Sequence, residues 1–287
     1  MGYAYLVGSV FLVAASVVFG TLYNRINEKA PCTVWLHNFL ICFGALIVWG
    51  INCLTSYKFI AIELVYSAIF AIGFCAVYLC MMIALKNGST SLTSLMLQLS
   101  LVGVTIWGFI FWNEKITGLV VAGLVITVIA LIFCLYEKNS EHKKINIKWL
   151  LSVAIMFIAN AVAAIANKTF ILTYGEEYNN SMMFFSLLFA TIICFIIFMV
   201  SNKTNVKTAF KRSWYVPFVS GLCNGVHNTF VGLMAVLLPS GVVYPVIAIG
   251  GLAVSIVAAL FIFKEKLERV QWIGIALGAV AVLLLNL

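Results

Sequence analysis

Charge is placed along this chain so as to leave nine long uncharged stretches, 1–24, 30–57, 64–85, 87–113, 116–136, 149–167, 178–202, 213–263 and 270–287. A helix needs about 20 apolar residues to cross a bilayer core about 30 Å thick. Eight stretches hold one such span each. The stretch 213–263 holds two, parted by Leu238-Pro239-Ser240-Gly241. Spans are therefore expected near 3–24, 33–54, 61–85, 90–112, 116–136, 149–172, 180–201, 215–237, 241–263 and 268–287. The expected fold class is an all-α polytopic membrane protein of ten transmembrane helices. A barrel is excluded because its strands alternate in hydropathy instead of running continuously apolar. With 64% hydrophobic and 9% charged residues, and a mean hydropathy of +1.13, the chain is also far from a soluble domain, which is about a quarter charged.

The longest polar connection runs from Glu137 to Lys148, too short for a soluble catalytic or nucleotide-binding module. The net charge of +8 is read as a membrane-orientation signal and not as a nucleic-acid footprint. Of the 17 basic residues, Lys58, Lys115 and Lys168 fall on one side of the expected topology and all others on the opposite side. Basic loops stay in the cytoplasm, so 138–148 and 202–213 are expected there, with both termini outside a cell membrane. Met1-Gly2-Tyr3-Ala4-Tyr5 has no basic character, so the first span is expected to remain uncleaved. The eight cysteines show no metal-ligand spacing and read as small buried hydrophobes. No metal and no cofactor is expected.

The chain also repeats itself. At an offset of 151, Phe111-Trp112-Asn113-Glu114-Lys115-Ile116 lines up with Ile262-Phe263-Lys264-Glu265-Lys266-Leu267. Gly123 then matches Gly274, Ala84-Leu85 matches Ala235-Val236, and Ser89 matches Ser240. Asn24-Arg25 pairs with Asn167-Lys168 at an offset of 143. These matches divide the chain into 1–146 and 147–287, each a five-helix repeat. Five is odd, so the second repeat enters the membrane inverted, the construction of alternating-access carriers.

Two five-helix halves, with Glu-Lys between spans 4 and 5 and again between 9 and 10, resemble the drug/metabolite transporter superfamily and within it the EamA-like family. The resemblance covers essentially the whole chain. It implies the inverted-repeat fold, transport of a small molecule, and peripheral placement of spans 5 and 10. Many members keep both termini in the cytoplasm, and the basic-residue count here points the other way. Gly274 and Gly278 on span 10 form a small-xxx-small pair, as do Gly123 and Thr127 on span 5. Such pairs suit close packing within one chain or a homodimer surface.

Polar groups on other spans share faces and should meet one another or water, not lipid. Asn224, His227 and Asn228 of span 8 stand at i, i+3 and i+4 among Gly221, Gly225 and Gly232. They are the leading substrate-binding candidates, with Gln98 and Asn160 expected across the cavity. Tyr78 and Tyr244 suit stacking on a ligand. His37 and Asn38, nearer the cytoplasmic end, are further candidates for binding or gating. Lys168 and Arg25 lie at span ends, where snorkelling to the interface is the default. If span 6 runs on to Leu172, Lys168 lies one turn inside. Glu114 and Glu265 read as helix-start residues with a structural role.

Enzyme chemistry is not expected: the three histidines lie on different elements and the glutamates in loops or at span ends. The expected function is a secondary-active transporter, working by alternating access, for a small polar metabolite that is neutral, zwitterionic or anionic. The absence of Asp and Glu from the charge-free stretches sets it apart from a proton-coupled exporter of lipophilic cations. A flippase for a lipid-linked intermediate is the alternative, and an intramembrane enzyme a more distant one.

Overall fold

A run of apolar residues in a bilayer can satisfy its backbone N–H and C=O groups only within itself, and this makes helices of the uncharged stretches. The computed structural model describes residues 2–27, 34–87, 90–134, 147–201, 206–263 and 269–285. Within them lie eleven α-helices and no strand. They are α1 (Gly2–Ile26), α2 (Val34–Thr55), α3 (Glu63–Asn87), α4 (Thr90–Phe111), α5 (Gly118–Cys134), α6 (Ile147–Tyr174), α7 (Asn179–Val200), α8 (Val206–Ser213), α9 (Tyr215–Met234), α10 (Ser240–Phe263) and α11 (Arg269–Leu285). A single 3-10 turn, Glu176–Tyr178, joins α6 to α7 after Gly175, whose φ of 106° suits a residue without Cβ.

The expected spans fall on helices, with two departures. Helix α6 reaches Tyr174, so Lys168 sits within it and not at its end. Helix α8 was not expected: 202–213 read as a plain basic loop. Its Lys207, Lys211 and Arg212 sit beside Ala209, which is buried against Leu36 and Leu40 of α2. An eight-residue amphipathic turn lacks the length that makes a span legible. The expected cytoplasmic loop 138–148 lies outside the described residues except for its last two.

Among the described residues, four segments are long and apolar enough to cross a membrane, Val34–Thr55, Glu63–Met81, Ile147–Tyr174 and Glu176–Val200. Shorter apolar segments lie in α1, α4, α5, α10 and α11. The 20-residue α9 is uncharged but less apolar than these. A helix that polar is poorly suited to lipid, and α9 packs on α1 and α2.

Helix α3 packs on α6 and α7, and α9 on α1 and α2. Helix α4 packs on α6, and α10 on α1. The pairs α2–α7, α4–α10 and α5–α11 complete the bundle. Small residues permit the closest approaches, as expected where van der Waals packing drives association in lipid. A Cβ on Gly221 would strike the Ile41 carbonyl oxygen, and one on Gly44 would come within 2.5 Å of the Phe218 carbonyl oxygen. Helices α2 and α9 therefore touch backbone to backbone. The main apolar core, with Trp49, Phe70, Phe170, Met182, Met183 and Leu187, joins α2, α3, α6 and α7.

Candidate transport site

Along α9, the middle of the helix carries the polar set. Asn224, His227 and Asn228 are each half-buried. His227 Nδ1 lies 2.6 Å from the hydroxyl of Ser9 on α1, a hydrogen bond whose donor is set by the imidazole tautomer. Asn228 turns its amide back along its own helix, donating to the Asn224 carbonyl oxygen and side-chain oxygen, both at 2.9 Å. Thr229 accepts from Asn52 of α2 at 2.9 Å. Beyond these bonds the cluster still carries amide and imidazole groups that can donate or accept. The three residues stay part-exposed although α9 packs on α1 and α2.

The glycines around this cluster do a different job from the one expected of them. Gly221 is filled by the α2 backbone, Gly225 by Val48, and Gly232 by the Asn179 side chain, 2.6 Å from where its Cβ would be. They seat α9 against its neighbours and do not open a cavity.

The other candidates are spread through the bundle. Asn160 of α6 donates to Ser100 Oγ of α4 at 2.6 Å, a separate contact from the His227 cluster. Gln98 lies on α4, its side chain outside the described residues. Tyr78 packs its ring 4.8 Å from Phe74 in the α3 part of the core. Tyr244 is buried on α10. His37 and Asn38 are buried side by side, with Nδ1 of His37 3.3 Å from Oδ1 of Asn38, and the imidazole 4.7 Å from the Tyr23 ring. Among the described residues His37 Nε2 has no partner. Helix α2 runs alongside α9 with Gly44 at Gly221 and Asn52 at Thr229. That register puts His37 about 20 Å below His227 along the helix axis at 1.5 Å per residue. The His37 pair and the His227 cluster are therefore separate places.

At the end of the bundle that carries the connections 112–117, 175–178 and 235–239, charge is buried. Lys168 is 3% exposed, a correction to the snorkelling expected of it. Its Nζ donates to Glu114 Oε1 at 2.8 Å and to Ser240 Oγ at 2.6 Å. The second carboxylate oxygen of Glu114 accepts the Ser240 backbone N–H at 2.9 Å. The ammonium also lies 5.0 Å from the centre of the Trp112 ring, and Trp112 Nε1 donates to Thr169. Sequence alone hides this set because its members are far apart in the chain. The one signal was the apolar pattern of span 6 continuing past Lys168. Nearby, Glu63 is wholly buried at the start of α3, accepting from Ser181 at 2.8 Å and from the Ile60 N–H at 3.4 Å, with Oε1 unpartnered.

Gly278 of α11 is filled by Ile249 of α10, and Thr127 bonds to the Gly123 carbonyl of its own helix. These small residues are spent within one chain, so a homodimer through spans 5 and 10 would use the outward faces of α5 and α11. Among the described residues no group of His, Cys, Asp and Glu is arranged to hold a metal ion.

Among solved structures, one crystal structure of a protein is similar over 97% of this chain and 98% of its own, with a TM-score of 0.71 at 12% identity. At that identity the likeness concerns the fold alone. No curated protein matches the chain. Residues 1–136, which span α1 to α5, match the model of the EamA-like transporter family. The match covers just under half of the chain, and through that part the protein is similar to the EamA-like transporters.

Proposed function

We propose that the protein is a secondary transporter of the cell membrane that moves a small polar metabolite, neutral, zwitterionic or anionic, by alternating access. The observation that carries this reading is the part-exposed, uncharged polar set of α9 in the middle of a covered helix. It offers amide donors, amide acceptors and one imidazole. A carrier's site belongs at that depth, between halves.

Support for ten spans in two inverted halves, 1–146 and 147–287, comes from the way helices pair. Exchanging the first helix of each half for its counterpart, the second for the second and so on, turns α3–α6 into α9–α1, α3–α7 into α9–α2, and α4–α6 into α10–α1. All six pairs are in contact. Ser100 and Gly251, matched by the repeat offset, each lie where their helix meets the first helix of the other half, at Asn160 and Val13. The basic-residue count supports placing both termini outside.

The alternative, a flippase for a lipid-linked intermediate, draws on an apolar groove of about 550 Å³ between α1, α10 and α11, lined by Tyr3, Leu6, Val7, Val10, Val246, Gly250 and Leu283. A thermal-shift screen of the purified protein against water-soluble metabolites tests the carrier reading, because a ligand of the folded state raises the melting temperature. The hit should then exchange saturably in vesicles. Stabilisation by amphiphiles alone, with none by soluble metabolites, would favour the flippase.

A further inference from the structure

We propose that Glu114, Lys168 and Ser240 form a latch that holds one end of the bundle shut and must part for the central polar site to open on that side. The inference rests on the carrier reading above and adds to it the element that gates one face.

The cluster joins the two halves: Glu114 belongs to the first, Lys168 and Ser240 to the second. Lys168 comes from α6 and Ser240 from the first residue of α10, and both helices pack on α4. Glu114 stands just beyond the end of α4, on the connection 112–117 between α4 and α5. Both carboxylate oxygens are bound, one by Lys168 and the Ser240 hydroxyl, the other by the Ser240 N–H. The Ser240 carbonyl accepts from Thr105 of α4 at 3.2 Å. Glu114 therefore ties three helices at one point.

The position fits a gate. Tyr244, a candidate site residue, lies on α10 about 6 Å deeper than Ser240 at 1.5 Å per residue, and Asn160 on α6 about 12 Å deeper than Lys168. Glu114 follows Asn113, which has a φ of 52°, and its N–H donates to the Gly108 carbonyl oxygen of α4 at 3.4 Å, so the carboxylate is carried on the end of α4. The α10 side can move. Pro245 inside α10 cannot donate to the Gly241 carbonyl, which loosens the ladder just below Ser240. Finally, a buried ion pair contributes little net stability compared with apolar groups of the same volume, and its best-attested use is to specify one arrangement over another. A charged pair sealed between two halves can define a closed state and be released to water in an open one. An apolar plug would keep much of its preference for closure.

The test uses the full chain with its eight native cysteines replaced and a single reporter, Tyr244→Cys, labelled by a membrane-impermeant maleimide from the outer face of intact cells. The latched protein should label slowly. Glu114→Gln should raise the rate at least roughly tenfold by shifting population toward the state open on that face. Ser240→Ala removes the hydroxyl from the cluster, keeps the ion pair, and should give a smaller rise in the same direction. It decides the matter if Glu114→Gln does not fold. Folded variants that label at the parent rate overturn the latch, as does a parent that labels fast from outside. A reporter that labels from neither face in permeabilised membranes, yet labels fully when denatured, removes any pathway at that depth. That result sinks the carrier reading and the latch with it.

Discussion

The Lys168 cluster at one end of the bundle and the His227 cluster in the middle of α9 each join side chains from both halves of the chain, but only the first carries charge. In the Lys168 cluster the ammonium and both carboxylate oxygens are paired, and the lysine is sealed from solvent. In the His227 cluster the groups are half-buried, and much of their hydrogen-bonding capacity is spent within α9 or left over. Charge in a low-dielectric place must be fully matched, because each unmatched ion costs several kcal/mol. Neutral amides and imidazole tolerate partial pairing beside accessible space. The contrast separates a closure built to be all or nothing from a surface able to accept a partner.

The largest effect should come from breaking the charged cluster on one side. Lys168→Met leaves Glu114 unpaired, and a loss of about 3–5 kcal/mol is expected, read as a sharply lowered melting temperature or folded yield. The double variant Lys168→Met/Glu114→Leu should recover most of it. A single variant that melts with the wild type would show that the pair is hydrated, and the comparison would fail at its first member. Next comes the backbone contact that positions the second cluster. Gly221→Ala drives a methyl into the Ile41 carbonyl, so a cost of about 1–3 kcal/mol is expected, together with weaker ligand binding.

Smaller changes sharpen the second member. His227→Ala should weaken ligand binding at least roughly tenfold, about 1.4 kcal/mol. It also strips the wholly buried Ser9 of its partner at a cost of about 1 kcal/mol, so a modest drop in melting temperature accompanies it. Asn228→Ala is the cleaner test, since its amide bonds only within α9. Yield and monodispersity near wild type, with binding again weakened roughly tenfold, are expected. A correctly folded Asn228→Ala that binds with unchanged affinity would reduce the α9 cluster to helix packing and erase the distinction between the two regions.

Much of the helix pattern was written in the positions of charge. The expectation of 33–54 met Val34–Thr55, and 180–201 met Asn179–Val200. The match is close because satisfying a backbone inside lipid is a local requirement that each stretch meets alone. Span 8 was also legible as a helix whose polar face should meet other groups or water and not lipid. Helix α8 escaped because a short amphipathic turn takes its stability from Leu36 and Leu40 of another helix. The glycines of α9 were legible as small residues but not in their use: Gly225 is filled by Val48, far away in the sequence.

By itself the sequence determined that this chain is an all-helical membrane protein, and which of its helices carry polar faces. Both follow from the cost of placing charge and bare backbone in an apolar solvent, a cost paid residue by residue. Only the tertiary structure decided that Lys168 meets Glu114 and Ser240, that His227 reaches Ser9 and not Asn160, and that His37 stands about 20 Å from His227 at 1.5 Å of rise per residue. Those are contacts between residues 54 to 218 positions apart. Several packings would bury the same apolar surface, and the choice among them rests on close helix approach and hydrogen bonding, which act only once the helices stand side by side.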